Sequence, residues 1–214
     1  MSKKKILHIV EAFGGGIYSF IVDLLKETNE DKEIVVCYSR RKQTPENFEK
    51  DFNKNIKFIE IKNFERSINL VKDLKAFFEV RNIIKQEKPD IIHLHSSKAG
   101  FIGRFATNGK RIKMLYNPHG FSFLMQNTSI LKRKIYWIIE KIASFRNCKI
   151  VGCSKGEYEE ALKLTSNAIR IDNGIDIDRL KEETKDLNKK EINLENLKVC
   201  TIRKNWLSKK SRAF

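Results

Sequence analysis

Histidines, glycines and a few hydroxyl and lysine side chains are the residues of this sequence that are candidates for ligand binding or catalysis. His119 lies between Pro118 and Gly120, a pair that predicts an irregular loop from which an imidazole can project into a cleft. A neutral imidazole can hydrogen-bond a hydroxyl or a developing charge near pH 7. We therefore predict His119 as a catalytic residue, with a purely structural histidine as the open alternative.

The glycine run Gly14, Gly15 and Gly16 separates an apolar strand from an amphipathic helix. Glycines let the backbone approach a ligand closely, and a helix N-terminus offers free N–H groups to phosphate. The spacing is not G-x-G-x-x-G, and Tyr38-Ser39-Arg40 occupies the place of the acidic residue that a dinucleotide site needs. We predict a substrate-binding loop and no dinucleotide cofactor; a tight turn without a ligand stays open.

A second group of polar residues, His95, Ser96 and Lys98, follows the strand 90–95. Ser96 and Ser97 are suited to cap the next helix, and this position suits an anion. We predict that His95, Ser96 and Lys98 bind substrate, whereas simple capping with a solvated Lys98 is the alternative. His93, His95, His119 and Cys153 are the residues that could form a metal site, but no H-E-x-x-H motif and no neighbouring carboxylate accompany them, so no metal ion is expected.

Strand-like and helix-like segments alternate along the first 177 residues. The predicted strands are 6–10, 34–37, 56–61, 90–95, 113–116, 149–153 and 168–171; the predicted helices include 17–25, 70–86, 130–146 and 155–164. Alternation of this kind predicts an α/β fold with a doubly wound, mostly parallel, Rossmann-like sheet. Ligands bind at the carboxyl ends of such strands, where Gly120 and Asn173 also fall as predicted substrate contacts.

The predicted helix 130–146 combines basic and aromatic side chains. Lys132, Arg133, Lys134 and Trp137 would suit the surface of an anionic membrane. The stronger alternative is a helix whose apolar stripe faces its own core. That stripe would contain Leu131, Ile135, Ile138, Ile139 and Ile142. In the predicted helix 70–86, Leu74, Phe77, Phe78 and residues 80–84 are expected to form the buried stripe.

The formal net charge of +16 favours an anionic partner, although a general abundance of lysine explains part of it. The four cysteines form no C-x-x-C pair, which is typical of a reduced, cytoplasmic protein. No apolar run approaches the ~18 residues that span a bilayer, so a membrane contact would be peripheral. No nucleic-acid-binding motif is present, and we expect no nucleic-acid partner.

These segments together resemble the N-terminal domain of family 4-type bacterial glycosyltransferases of the GT-B fold. The matching stretches are 6–11 with 14–16, Pro89 to Gly100 (PDIIHLHSSKAG), Pro118 to Phe121 (PHGF), Cys153 to Glu157 (CSKGE) and Asn173 to Asp176 (NGID). The resemblance implies an acceptor-binding domain for a lipid-linked sugar, with His119 lining the cleft beside the transferred sugar. It further implies a nucleotide-sugar donor held by a second domain, a retaining reaction in capsule, exopolysaccharide or lipopolysaccharide synthesis, and no metal.

The sequence departs from this family pattern near its C-terminus. Residues 1–177 are interpreted as the acceptor-binding domain, and 178–214 as a linker with an aborted start of the donor-binding domain. Arg203-Lys204 replaces the expected Gly-Arg pair, which suggests an out-of-frame read-through from Arg203 onward. We therefore expect a domain that is inactive alone. The alternatives are a non-catalytic module that works with a separately encoded donor domain and, less favoured, a basic nucleic-acid binder.

Overall fold

A computed structural model describes residues 3–26, 31–65, 67–107 and 112–174. Within these ranges the strands are β1 (Lys4–Phe13), β2 (Lys32–Arg40), β3 (Lys57–Glu60), β4 (Ile91–His95), β5 (Lys113–Asn117), β6 (Lys149–Gly152) and β7 (Ala168–Arg170). The helices are α1 (Gly15–Lys26), α2 (Leu70–Glu87), α3 (Ser97–Ala106), α4 (Ile130–Ser144) and α5 (Lys155–Leu164), with 3₁₀ turns at Phe48–Asp51 and Ser122–Leu124. The predicted boundary at 177 and the segment 178–214 lie outside the described residues.

The strands form one parallel sheet in the order β3-β2-β1-β4-β5-β6-β7, which confirms the predicted doubly wound α/β fold. The strand order reverses at β1, which pairs with β2 on one side and β4 on the other. Side chains alternate between the two faces of the sheet. Leu7 and Ile9 join the core that includes α2 and α3, whereas Val10 and Phe13 pack with residues of α1.

Side-chain caps fix the start of three helices. Asn69 accepts a hydrogen bond from the Lys72 backbone N–H at 3.1 Å, and Ser129 accepts one from Lys132 at 3.4 Å. Ser154 accepts from the Glu157 N–H at 3.2 Å, as its position before α5 predicts. The predicted side-chain cap by Ser96 is wrong: Ser96 precedes α3 with φ of 80°, and its hydroxyl makes no capping bond.

The inward face of α4 is not the one that its apolar pattern predicts. Leu131, Ile135, Ile138 and Ile142 are exposed, so the expected core-facing stripe is wrong for these four residues. Glu140 and Ala143 are buried instead. The reason is an ion pair. The buried guanidinium of Arg104 in α3 pairs with the Glu140 carboxylate, which places this polar side chain on the inner face of α4.

Helix α2 shows the same kind of departure. Leu74 and Phe78, expected in its buried stripe, are 58% and 54% exposed, whereas Ala76, Val80 and Ile83 are buried. The predicted stripe therefore contained two residues from the outer face. No helix among the described residues is long and apolar enough to cross a membrane.

Candidate functional site

The sheet gathers the predicted polar groups at the carboxyl ends of β1, β4, β5 and β6. This edge contains the point where the strand order reverses, which is where open α/β sheets bind their ligands. His95 ends β4, His119 follows β5 by two residues, and Cys153 follows β6 directly. Gly15 begins α1 with φ of 60° and marks the loop after β1.

All four histidines of the sequence lie in one cluster. His8 Nδ1 is 3.2 Å from His95 Nε2, and His95 Nδ1 is 3.1 Å from His119 Nε2. His93 Nε2 contacts the amide oxygen of Asn117 at 2.6 Å. The parallel register explains the arrangement, because His8 pairs with His93 and Asn117 pairs with His95 across neighbouring strands.

Burial keeps these imidazoles neutral. Desolvation, followed by the proximity of His93, lowers the pKa of His119 to about 4, and desolvation lowers the pKa of His93 to about 4. Burial likewise places the pKa values of His8 and His95 well below the ordinary value of a histidine. At neutral pH each ring therefore carries one N–H and one bare nitrogen.

The turn that carries His119 has an unusual backbone. His119 has φ of 53° and Gly120 has φ of 92°, both in the left-handed region that L side chains rarely adopt. Glu157 of α5 holds this turn, because its carboxylate accepts the Gly120 N–H at 2.6 Å and the Cys153 N–H at 2.7 Å. Strained backbone held by its surroundings is typical of functional sites. His119 itself is partly exposed, so it remains reachable from solvent.

A second polar group joins the ends of β1 and β4. The Glu11 carboxylate is buried and forms an ion pair with Arg41, whose guanidinium also donates to the carbonyl oxygen of Phe64 at 3.2 Å. The Ser96 hydroxyl donates to the other oxygen of Glu11 at 3.4 Å. Ser96 has a φ of 80° at the start of α3, and its backbone N–H donates to the Asn117 carbonyl oxygen at 3.1 Å.

The remaining predicted binding residues have different surroundings. Lys98 donates to Asp73 Oδ1 at 2.7 Å and to the Ser67 carbonyl oxygen at 2.5 Å, so its ammonium is occupied by protein groups. His95 has no exposed surface, its ring nitrogens contact His8 and His119, and its ring also packs beside Phe20. Asn173 is exposed beyond the end of β7. A Cβ added at Gly16 would meet no atom within 4 Å, so this part of the glycine loop is accessible to a ligand.

The described residues also offer one group of metal-ligand atoms. Ring nitrogens of His8, His93 and His95 all lie within 4.8 Å of one another. Neutral imidazoles of this kind are suitable ligands for zinc or copper. This trio differs from the combination that the sequence suggested, because it contains His8 and omits His119 and Cys153.

Several residues of this site were not predicted from the sequence. Asn117 and Glu157 belong to it through hydrogen bonds to His93 and to the His119 turn. His8 belongs to it through its contact with His95, and in the sequence it is a polar residue that interrupts an otherwise apolar strand. That interruption was the available signal for His8, and the position of Glu157 three residues after a helix cap was the signal for Glu157.

Sequence comparison identifies the class of protein. Residues 14–179 match the sequence model of Glycosyltransferase Family 4, and the chain belongs to that family. An uncharacterized 41.2 kDa protein of the Klebsiella pneumoniae cps region is 33% identical over 205 residues, covering 88% of this chain and 54% of the relative. The Escherichia coli UDP-Gal:alpha-D-GlcNAc-diphosphoundecaprenol alpha-1,3-galactosyltransferase is 29% identical over 122 residues, covering 53% of this chain and 30% of the enzyme.

Solved structures share the fold. Anabaena HepE in complex with UDP and glucose superposes with a TM-score of 0.60 at 15% identity, covering 85% of this chain and 50% of HepE. The lipopolysaccharide outer core galactosyltransferase WaaB gives 0.57 at 17% identity, covering 80% and 46%. A UDP-N-acetylglucosamine 2-epimerase of Rickettsia bellii also gives 0.57, at 12% identity, covering 86% and 48%. The same fold therefore occurs with different reactions, and the family match identifies the glycosyltransferase class.

Proposed function

We propose that this chain is the acceptor-binding part of a retaining, nucleotide-sugar-dependent glycosyltransferase of bacterial surface-polysaccharide synthesis. The observation that carries the proposal is the His119 turn, in which a strained backbone presents a partly exposed imidazole at the sheet edge that contains the reversal point. The galactosyltransferase relative names a diphosphoundecaprenol-linked acceptor, which supports an acceptor of this chemical class. The chain spans 54% of the length of the Klebsiella pneumoniae relative. In this proposal, a second domain binds the nucleotide sugar.

The chemistry of the site agrees with sugar recognition. A neutral imidazole can exchange hydrogen bonds with a sugar hydroxyl without an ionic charge to neutralise. The glycine loop at the start of α1 offers backbone N–H groups to a phosphate. The proposal includes no cofactor and no metal ion, and it includes no transfer by this chain alone, because the electrostatic stabilisation of the leaving diphosphate is assigned to the donor domain.

Acceptor binding tests this proposal. We expect the full chain in detergent micelles to bind N-acetylglucosaminyl-diphosphoundecaprenol more tightly than undecaprenyl diphosphate, as measured by isothermal titration calorimetry. His119→Ala should remove the sugar-dependent part of the affinity. One neutral hydrogen bond contributes about 0.5–1.5 kcal/mol, so the expected loss is roughly two- to thirteenfold.

The matched control is Lys155→Ala, which removes an exposed side chain at the start of α5, and it should bind as the wild type does. Equal affinity of the two lipids for the wild-type chain would contradict acceptor recognition. Transfer from a nucleotide sugar by the chain alone would contradict the assignment of the donor to a second domain.

The same proposal includes a peripheral contact between the outer face of α4 and an anionic membrane. Leu131, Ile135, Ile138 and Ile142 recur at helical spacing and are 69%, 45%, 51% and 51% exposed. Lys132 and Lys134 are exposed beside this stripe, and Trp137 is 38% exposed. Arg133 is engaged differently, because its guanidinium donates to the Phe123 carbonyl oxygen at 2.8 Å. An apolar stripe with flanking lysines suits an anionic lipid surface.

We expect Ile138→Glu to weaken binding to phosphatidylglycerol-containing vesicles by roughly tenfold or more, because a buried aliphatic side chain contributes about 1.5–3 kcal/mol. Vesicle co-sedimentation measures this change. Leu162→Glu is the matched control, since Leu162 is 45% exposed on α5 and should not affect binding. Equal losses in the two variants, or no binding by the wild type, would contradict a specific contact through α4.

A further inference from the structure

A cavity of about 900 Å³ lies at the amino ends of the central strands. Three of its lining residues precede strands: Pro89 lies before β4, Ile112 before β5 and Arg146 before β6. The C-terminal parts of α2 and α3 supply its other described lining residues. Because the strands are parallel, this cavity and the candidate site at the carboxyl ends lie on opposite edges of the sheet. We call it the basic cavity.

The lining of the basic cavity carries charge of one sign. Its described lining residues include Arg81, Lys85, Lys88 and Arg146, and none of them is acidic. No carboxylate in the described part of the chain forms an ion pair with any of these four cations. Cations of one sign around a concave surface reinforce one another's field, so the basic cavity attracts anions.

The C-terminus of α2 explains only part of this cluster. A helix end stabilises cations in its last turn, where Lys85 lies, and Lys88 is the C-cap residue. Arg81 precedes that turn, and Arg146 belongs to the segment between α4 and β6. Arg81 and Lys85 are also four residues apart on one helix, a spacing at which like charges destabilise the helix. An anion bound beside these two side chains would offset their repulsion.

The side chain of Arg146 is held in place by the protein itself. Its Nε donates to the Arg104 carbonyl oxygen at 3.2 Å, and its Nη2 donates to the Thr107 carbonyl oxygen at 3.1 Å. The guanidinium carbon also lies 5.5 Å from the centroid of the Phe105 ring. Nη1 has no hydrogen-bond partner within the described residues. A guanidinium fixed in this way can bind a phosphate oxygen at a lower entropy cost than a mobile side chain.

Apolar side chains form another part of the lining. Ile84 and Ala106 are buried, and Phe105 and Ile112 are half-buried. A ligand that covers such side chains removes apolar surface from water, which favours binding, whereas a small hydrated anion does not cover them. The lining therefore favours a ligand that combines an anionic group with an apolar one.

We propose that the basic cavity binds a phosphate group that is attached to an apolar moiety. Arg146 and the cations of α2 hold the phosphate, and the apolar moiety packs on Ile84, Phe105 and Ile112. The headgroup of an anionic lipid and a soluble organic phosphate offer this same chemistry. The basic cavity lies on the sheet edge opposite His119, so this site is separate from the acceptor site proposed above and does not depend on it.

Titration with short-chain lipids tests this proposal. We expect ¹H–¹⁵N spectra of the full chain to show shifts of the Phe105 and Thr107 amides when monomeric dihexanoyl phosphatidylglycerol is added. Zwitterionic dihexanoyl phosphatidylcholine, which has the same apolar chains, should bind more weakly. Arg81→Gln combined with Lys85→Gln should weaken binding of the anionic lipid roughly tenfold, because two charged contacts at the rim are lost.

Lys62→Gln combined with Lys75→Gln is the matched control. Both lysines are exposed, neither lines the basic cavity, and their replacement removes the same formal charge. This double variant should bind the anionic lipid as the wild type does. Equal losses in the two double variants would show a general effect of charge and overturn the proposal. Equal affinity for the two lipids, or shifts confined to the glycine loop 14–16, would also overturn it.

Two further probes separate the sources of the phosphate. If the Arg81→Gln and Lys85→Gln double variant binds phosphatidylglycerol vesicles more weakly than the wild type, the ligand is a lipid headgroup. If vesicle binding is unchanged but hexyl phosphate shifts the Phe105 and Thr107 amides, the ligand is a soluble organic phosphate. Inorganic pyrophosphate that binds as tightly as hexyl phosphate would overturn the role of the apolar lining, and no shift with any probe would overturn the site.

Discussion

Glu140→Ala is expected to lower the free energy of unfolding by about 3–5 kcal/mol, because it leaves a buried cation without its partner. Arg104 has no exposed side-chain surface, and its Nη2 donates to Glu140 Oε2 at 2.6 Å. The Tyr116 hydroxyl donates to the other carboxylate oxygen at 2.7 Å and would lose its acceptor as well. Arg104 Nη1 has no hydrogen-bond partner within the described residues, and Nε donates to the Gly100 carbonyl oxygen at 2.7 Å, a neutral acceptor that does not replace the carboxylate charge.

Urea denaturation followed by circular dichroism measures this loss. Replacing both members of the pair, with Arg104→Met and Glu140→Leu, should recover most of the stability, because no buried charge then remains. Glu160→Ala is the surface control: its partner Lys163 is 61% exposed, and a pair in contact with solvent should contribute less than about 1 kcal/mol. A loss for Glu140→Ala as small as that for Glu160→Ala would contradict a buried ion pair between α3 and α4.

Gly152→Ala should have the second-largest effect on stability, a loss of about 1–3 kcal/mol from overpacking. An added Cβ at Gly152 would lie 2.7 Å from the backbone nitrogen and 2.8 Å from the Cα of Tyr158. Backbone atoms in the first turn of α5 cannot rotate away as a flexible side chain can. The strand and helix must therefore separate, which displaces the Cys153 N–H from the Glu157 carboxylate.

Gly156 provides the matched control on the same helix. A Cβ at Gly156 meets nothing within 4 Å, and alanine is the better helix former by about 0.5–1 kcal/mol. Gly156→Ala should therefore leave the thermal midpoint unchanged or raise it. Equal stability of the Gly152→Ala and Gly156→Ala variants, measured by differential scanning calorimetry, would show that β6 and α5 do not approach as closely as described.

The fold was predictable from this sequence because local signals and tertiary packing agree. Alternating apolar runs and amphipathic helices gave all the strands of the sheet, and α5 has the predicted bounds Lys155–Leu164. Ser154 caps that helix as its residue type indicates. The prediction was wrong where a tertiary ion pair outweighed periodicity: Arg104 and Glu140 are 36 residues apart, and nothing local to α4 indicates that Glu140 faces inward.

The position of the candidate site could be predicted from the sequence, but the hydrogen bonds among its residues could not. Strand ends identified His95, His119 and the glycine loop, because parallel strands place their carboxyl ends on one edge. The bond between His8 and His95 depends on the register of β1 against β4, which a sequence without pairing information does not specify. Lys98 was predicted to bind substrate, but its ammonium pairs with Asp73. This partner lies 25 residues away on another helix, so the sequence around Lys98 does not indicate it.

The carboxylate bridge of Glu157 has a mechanical consequence for this part of the molecule. One side chain ties the backbone of the His119 turn to the backbone that follows β6, and α5 carries the tie. The backbone that carries the imidazole is therefore coupled to the position of α5. A displacement of α5 would move the His119 turn and the end of β6 together.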